Sequence, residues 1–356
     1  MLSPALLDKL NYYEQAYYSL DEPVPFKPGL KVYPVLVKDY YNFYNCLSCL
    51  TMDKMVKNVY ENGRLVKVPN PEGIAQSYMA FLIQSMQDSN TGPIITSQVM
   101  QMFELVFHIP RGIYCPKCGK QMTYEEAFGD MKEYVKTRIE EAKKLFDEAI
   151  KKKEEETGEK VELQSIPEEL LEKIKANAEY EYYKKALTCT DCGEQMRDVF
   201  SIKAQGPLNR FVIKDIEIND NEFDELKALI PRQNILDYDG DRYMDPDLKE
   251  ELEIKARLQN KDYTSPTLEK QLICVAVGTG YTFEYLKSIT MRKLSMLLRI
   301  IDKKDTYYAQ LQASMSGMVT FKEGSIKHWI FSDDKKNIAQ ELTSLETFEK
   351  KFEHVT

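Results

Sequence analysis

Apolar residues recur along this chain with two periods, and the switches between them mark its elements. The opening stretch MLSPALLDKLNYYEQAYY has the spacing of an amphipathic helix. Pro23, Pro25, Pro28 and Gly29 end that pattern. From Leu30 to Val37 apolar and polar positions alternate, which predicts a short edge strand, because Pro34 cannot donate to a ladder. Asp39 begins a predicted helix with Tyr40, Phe43, Tyr44 and Leu47 on one face. Asn62-Gly63 lies between two β-rich runs, 56–60 and 65–68, and signals a hairpin. Two more helices are predicted near 71–87 and 95–107, parted by the turn-forming residues 89–93.

The pattern then changes character. Residues 123–188 are dense in Lys and Glu and contain neither cysteine nor histidine. Within them Met131, Val135, Ile139, Ala142, Phe146 and Ala149 keep a helical period, and Leu170, Leu171, Ile174, Ala178 and Tyr182 repeat it. Thr123 with Glu126, and Ser165 with Glu168, read as capping-box starts, the second with Pro167 in its first turn. Gly158 falls in the break between them. An antiparallel helical hairpin is predicted, partly coiled-coil in its packing.

After about 196 mixed structure returns. Residues 211–218 are strand-like and 221–229 helical. Helices are predicted near 245–259, 266–277, 283–302 and 306–316, the last capped by Asp305 and closed by Gly317. The final thirty or so residues read as a polar tail. The expected fold class is α+β, mainly helical. Its expected parts are a helical domain at 1–112 with short strands, a cysteine module at 113–200 with the hairpin inserted at 123–188, and a mainly helical domain at 201–356 with a short strand.

Composition narrows the function classes. At 356 residues, with 43% hydrophobic and 29% charged positions, the chain can bury a sizeable core. A formal charge of −9 disfavours binding along a nucleic-acid backbone, which needs a basic face. No apolar run is long enough to span a bilayer, and the N-terminus lacks a basic region and cleavage site, so neither a membrane anchor nor a secretory signal is expected. Seven cysteines, four of them in matched pairs, fit a reducing compartment and metal ligation better than a disulfide framework.

Those pairs form a local repeat. Residues 115–122 read CPKCGKQM and residues 189–196 read CTDCGEQM. A CxxC followed by glycine makes a knuckle: two thiolates converge on one metal, backbone N–H groups point at the sulfurs, and glycine permits the tight bend. Two knuckles supply Cys115, Cys118, Cys189 and Cys192, the closed tetrahedral set of one structural Zn2+ per chain. The long separation of the knuckles follows if an antiparallel hairpin returns the chain to its origin. An iron or iron–sulfur site and a redox dithiol use similar spacings, though neither CxxC has the βαβ context of the latter. A catalytic zinc needs a position open to water, which four thiolates do not leave.

Other chemistry is thin. Cys46 and Cys49 lie in an apolar helix without glycine or a partner pair, and are expected as buried core thiols. The acidic run 237–247 has its glycine in the wrong place for a calcium loop and reads as a turn before a helix, with Asp245 as its cap and Pro246 next. Gly278-Thr-Gly280 reads as a helix–helix turn rather than a dinucleotide fingerprint. His108 is expected in the core and His328 in an aromatic cluster, and neither they nor His354 pairs with a nucleophile. No catalytic residues are expected, and the chain is read as non-enzymatic.

The segment 27–44, KPGLKVYPVLVKDYYNFY, resembles the opening of tail-assembly chaperones and baseplate hub assembly proteins of tailed bacteriophages, with an alternating basic strand and then an acidic-aromatic helix start. Ile289-Thr-Met-Arg-Lys-Leu294, Tyr307-Tyr308 and Ser314–Val319 resemble the same group. The resemblance implies a phage protein without catalysis that binds other tail or baseplate proteins, in the host cytoplasm or in the virion. The alternative class is a zinc-ribbon accessory factor that handles nucleic acid.

Overall fold

The computed structural model describes residues 3–54, 56–61, 64–157, 166–205, 208–238, 266–316, 326 and 328–331. The chain divides into two compact units, Met1–Val35 with Asp39–Tyr243, and Leu36–Lys38 with Met244–Thr356. The expected helix at 245–259, the acidic loop beyond Tyr238, Ser165, Gly317, His354 and nearly all of the polar tail lie outside the described residues.

In the first unit, helix α1 (Pro4–Ala16) starts where the Ser3 hydroxyl accepts the Leu6 N–H. The alternating stretch after it is a hairpin: β1 (Val24–Lys27) pairs antiparallel with β2 (Leu30–Val32) across Pro28-Gly29, where Gly29 has φ 80°. The predicted single edge strand is therefore shorter, since the chain leaves the ladder before Pro34, which has no N–H to give it. Helix α2 (Tyr40–Thr51) follows, then the hairpin of β3 (Val56–Glu61) and β4 (Arg64–Pro69), then α3 (Pro71–Ala75), α4 (Tyr78–Met86) and α5 (Gly92–Phe107).

A three-stranded sheet is built from β5 (Gly112–Tyr114), β6 (Gln121–Thr123) and β7 (Arg197–Asp198), with β5 central and both pairings antiparallel. Between β6 and β7 run α6 (Tyr124–Phe128), α7 (Met131–Thr157) and α8 (Glu168–Ala186). Thr123 and Glu126 form the predicted capping box, but the helix stops at Gly129 and restarts as α7. Pro167 is itself the N-cap of α8 and makes no side-chain cap. Helices α7 and α8 pack along one another in opposite directions. Tyr134 meets Tyr182 at 5.3 Å between ring centres, and Arg138 pairs with Glu181 at 3.2 Å.

A second three-stranded antiparallel sheet, β8 (Phe200–Gln205), β9 (Leu208–Ile213) and β10 (Ile216–Ile218), leads into α9 (Asp220–Asn234). The strand predicted over 211–218 breaks at Lys214, whose φ of 55° turns the chain back on itself. This sheet belongs to the first unit, not to a domain beginning at 201. Phe103 of α5 lies 5.5 Å from Phe211 and 6.0 Å from Phe200, and Phe211 lies 5.2 Å from Phe223. Burying these rings together gives one core that joins residues far apart in sequence.

The second unit holds α10 (Leu268–Thr279), α11 (Phe283–Ser288) and α12 (Met291–Met315). Gly280, at φ 78°, caps α10, and the Thr282 hydroxyl accepts the Tyr285 N–H to open α11, so the glycine pair makes a helix–helix turn. The predicted helix from 283 breaks at Ile289-Thr290, and α12 then runs without interruption through Asp305, which is not a cap. Val37, Leu272, Val275, Leu286, Ile289 and Leu294 form the core here. The Val37 N–H donates to the Ile289 carbonyl at 2.9 Å. Among the described residues no helix is long and apolar enough to cross a membrane.

Candidate metal centre

The first knuckle is the loop joining β5 to β6, and the second follows α8. In each, the first cysteine's N–H donates to a carbonyl five residues on: Cys115 to Lys120 and Cys189 to Glu194, both at 2.8 Å. In each, the glycine N–H closes back on the first cysteine's carbonyl, Gly119 to Cys115 and Gly193 to Cys189, both at 2.9 Å. Gly119 and Gly193 sit at φ 77° and 72°, a conformation that costs residues with a Cβ. The repeated sequence thus folds into two loops with the same backbone bonding.

The loops face each other through the sheet, since β7 leaves the second knuckle and pairs with β5 at the start of the first. All four sulfurs lie within 4.8 Å of one another. Cys115 Sγ is 3.4 Å from Cys192 Sγ, and Cys118 Sγ is 3.5 Å from Cys189 Sγ. A disulfide needs about 2.05 Å. A tetrahedron with metal–sulfur bonds of about 2.3 Å has edges of about 3.8 Å, close to the separations found.

Cys115 and Cys189 are buried in a small core with Ile113, Ala127 and Met196, with Met122, Phe128 and Leu187 against it. Both methionines of the CxxCGxQM repeat therefore point inward together. Cys118 is exposed and Cys192 partly so. The Lys120 ammonium ties the knuckles, reaching Thr190 Oγ1 and Asp191 Oδ1 at 2.7 Å each. The pattern of cysteines alone does not reveal this link or the small core, although the shared Gln-Met ending of the two repeats hints at the core.

The thiols do not titrate alike. The backbone N–H of Cys118, aided by the Cys192 thiol and the Lys117 N–H, pulls Cys115 down to about 6 against the opposing effect of burial. At Cys192 the Glu194 N–H pulls the same way, but the Cys115 thiol, burial and the other two thiols outweigh it and push the group up to about 12. Cys118 is raised too, because the thiols of Cys115 and Cys189 override the Lys120 N–H. One thiolate forms readily and its charge keeps neighbours protonated. A cation among the sulfurs resolves that conflict, so the donor set fits a thiophilic metal ion.

The remaining chemistry-bearing residues stand apart from this centre. Cys46 and Cys49 are fully buried in α2; burial pushes both thiols up, Cys46 to about 11. His108 is not a core residue: it is exposed at the C-cap of α5, with φ 54°, stacked on Tyr33 at 4.2 Å. His328 lies against Tyr307 and Trp329, at 5.1 and 5.4 Å.

Residues 259–332 match the sequence family described as YomV second domain, a phage-derived family whose namesake comes from a Bacillus prophage. The match falls wholly within the second unit and links the chain to phages, with no tail or baseplate assignment attached. No curated protein and no solved structure matches the chain.

Proposed function

We propose that Cys115, Cys118, Cys189 and Cys192 hold one structural Zn2+ per chain in a zinc-ribbon-like module, with α7 and α8 inserted between its halves as a helical hairpin. The observation that carries this reading is the closed set of four sulfurs on two loops of identical backbone bonding. Zinc favours four-thiolate tetrahedra, and a filled set leaves no position for a reacting water, so the metal is a clamp on the fold. The chain's own residues supply the rest. Backbone N–H groups orient the sulfurs, and Lys120 offsets part of the negative charge of the thiolates.

The protein built on this clamp is a non-enzymatic phage structural or assembly protein that binds other tail or baseplate subunits, in the host cytoplasm or in the virion. The phage-derived family matched at 259–332 supports the first part, and the resemblance of 27–44 and 289–294 to tail-assembly and baseplate hub assembly proteins supports the second. Native mass spectrometry with metal analysis tests the clamp: one zinc per chain is expected, lost when all four cysteines become serine. Capture of the tagged chain from infected cells tests the role. Recovery of tail or baseplate proteins supports it, and salt-sensitive recovery of nucleic acid alone replaces it with a nucleic-acid-handling accessory factor.

A further inference from the structure

The four thiols differ in how they meet solvent and one another. Cys118 is the exposed member, whereas Cys115 and Cys189 are 0% and 2% exposed in the small core. Cys118 Sγ lies 3.5 Å from Cys189 Sγ and Cys115 Sγ lies 3.4 Å from Cys192 Sγ, both contacts crossing between the knuckles, within a set of four sulfurs all inside 4.8 Å of one another. Within each CxxC the loop is held by its own pair of backbone hydrogen bonds. The Lys120 ammonium of the first knuckle holds Thr190 Oγ1 and Asp191 Oδ1, next to Cys189, at 2.7 Å each. An exposed sulfur with a second thiol in contact is where an oxidant arrives first and where its product resolves to a disulfide.

We infer that Cys118 is a site of modification by hydrogen peroxide, and that its product is a Cys118–Cys189 disulfide spanning the two knuckles, formed as the metal leaves. The Cys118 thiolate attacks the peroxide O–O bond, giving a sulfenic acid and hydroxide. The Cys189 thiolate then attacks the sulfenic sulfur and displaces a second hydroxide. Two protons from solvent convert both hydroxides to water, so two thiolates, one peroxide and two protons become one disulfide and two waters. The two remaining sulfurs cannot complete a tetrahedral site, and the zinc is released. Release of zinc rests on the metal reading above, while the identity of the bridge rests on the thiol geometry alone.

Because the new bond joins the same two loops that the metal joined, oxidation exchanges one tie at the base of α7 and α8 for another. Cys274, an exposed thiol on α10 outside the four-cysteine cluster, is an internal reference for general oxidation.

The test adds peroxide stepwise to the zinc-loaded full chain, with zinc release followed by a chromogenic chelator and bridges mapped by mass spectrometry of unreduced peptides. The expected result is a Cys118–Cys189 peptide appearing together with free zinc, before Cys274 reacts, and reversed by dithiothreitol and zinc. C118S is expected to lose that bridge. A first bridge within either CxxC, sulfinic acid at Cys118 without a bridge, or zinc retained until Cys274 is consumed overturns the inference. The same mapping on chelator-treated wild-type chain reads the bridge without relying on a variant's metal binding. A chain that binds no zinc yet forms the cross-knuckle bridge overturns the metal reading alone.

Discussion

Single residues carry the four-cysteine cluster and the junctions of the core, and they differ in why they cannot be exchanged. A Cβ at Gly193 meets nothing within 4 Å, so the cost of alanine there is backbone strain alone, about 1–2 kcal/mol. Gly193→Ala is expected to weaken zinc binding roughly tenfold in a competition titration, with Gly193→Asn recovering part of the loss. Gly112 differs, since a Cβ there collides with the Met122 carbonyl oxygen and pushes β5 from β6. Asn234 is 1% exposed, accepts the Val35 N–H at 2.7 Å and donates to the Ile230 carbonyl at 2.8 Å. Asn234→Ala strands the buried Val35 N–H, and urea unfolding is expected to show a loss of about 1–3 kcal/mol. The two sites also show what a sequence can reveal at this scale. A knuckle is a local object whose spacing and glycine are its whole specification, so all four cysteines could be singled out from pattern. Asn234 bonds a residue 199 positions away, and no local pattern reports such a partner.

At the scale of elements, caps and breaks decide most outcomes. Asn219 opens α9 with a capping box, its side chain taking the Glu222 N–H while the Glu222 carboxylate takes the Asn219 N–H at 2.8 Å. Asn219→Ala is expected to cost about 1 kcal/mol by thermal or urea melting. Glu222 adds a pH dependence. Burial raises its pKa, but the Lys27 ammonium and the Asn219 N–H outweigh that and hold it below its ordinary 4.5. A carboxylate depressed on folding adds stability that is full above the unfolded value and disappears as pH falls through the folded one. Stability should therefore drop on acidification below about 4.5, and Glu222→Gln should flatten that part of the profile. A profile unchanged by the substitution would show that the pair with Lys27 contributes nothing. Periodicity read most helices and the 56–69 hairpin, because those signals repeat over many residues. It merged β9 with β10, where a single positive φ at Lys214 makes the turn, and it split α12 at Asp305, whose capping chemistry is overridden by an apolar stripe continuing on both sides.

On the scale of the whole molecule, the chain is partitioned by cores rather than by sequence order. Phe200 and Phe211 join the first core through Phe103, so a boundary drawn at 201 from the end of the cysteine module falls inside a packed unit. Residues 36–38 do the reverse: they sit among N-terminal elements in sequence, yet Val37 is 1% exposed in the core of the second unit. Apolar pattern marks Val37 as buried but cannot say in which core. That core shares no residue with the small one around Cys115 and Cys189, so the four-cysteine cluster and Val37 belong to different cores. Val37→Ala removes two buried methyl groups, worth about 1.5 kcal/mol. In hydrogen exchange it should speed the amides of α10 and α12 roughly tenfold and leave β5, β6 and α6 unchanged. On the zinc reading proposed above, a chelator should do the opposite, because binding energy at a structural zinc is folding energy for the unit that holds it. If both treatments loosen the same amides, the two cores are one cooperative body, and the division at Tyr243 and Met244 has no thermodynamic meaning.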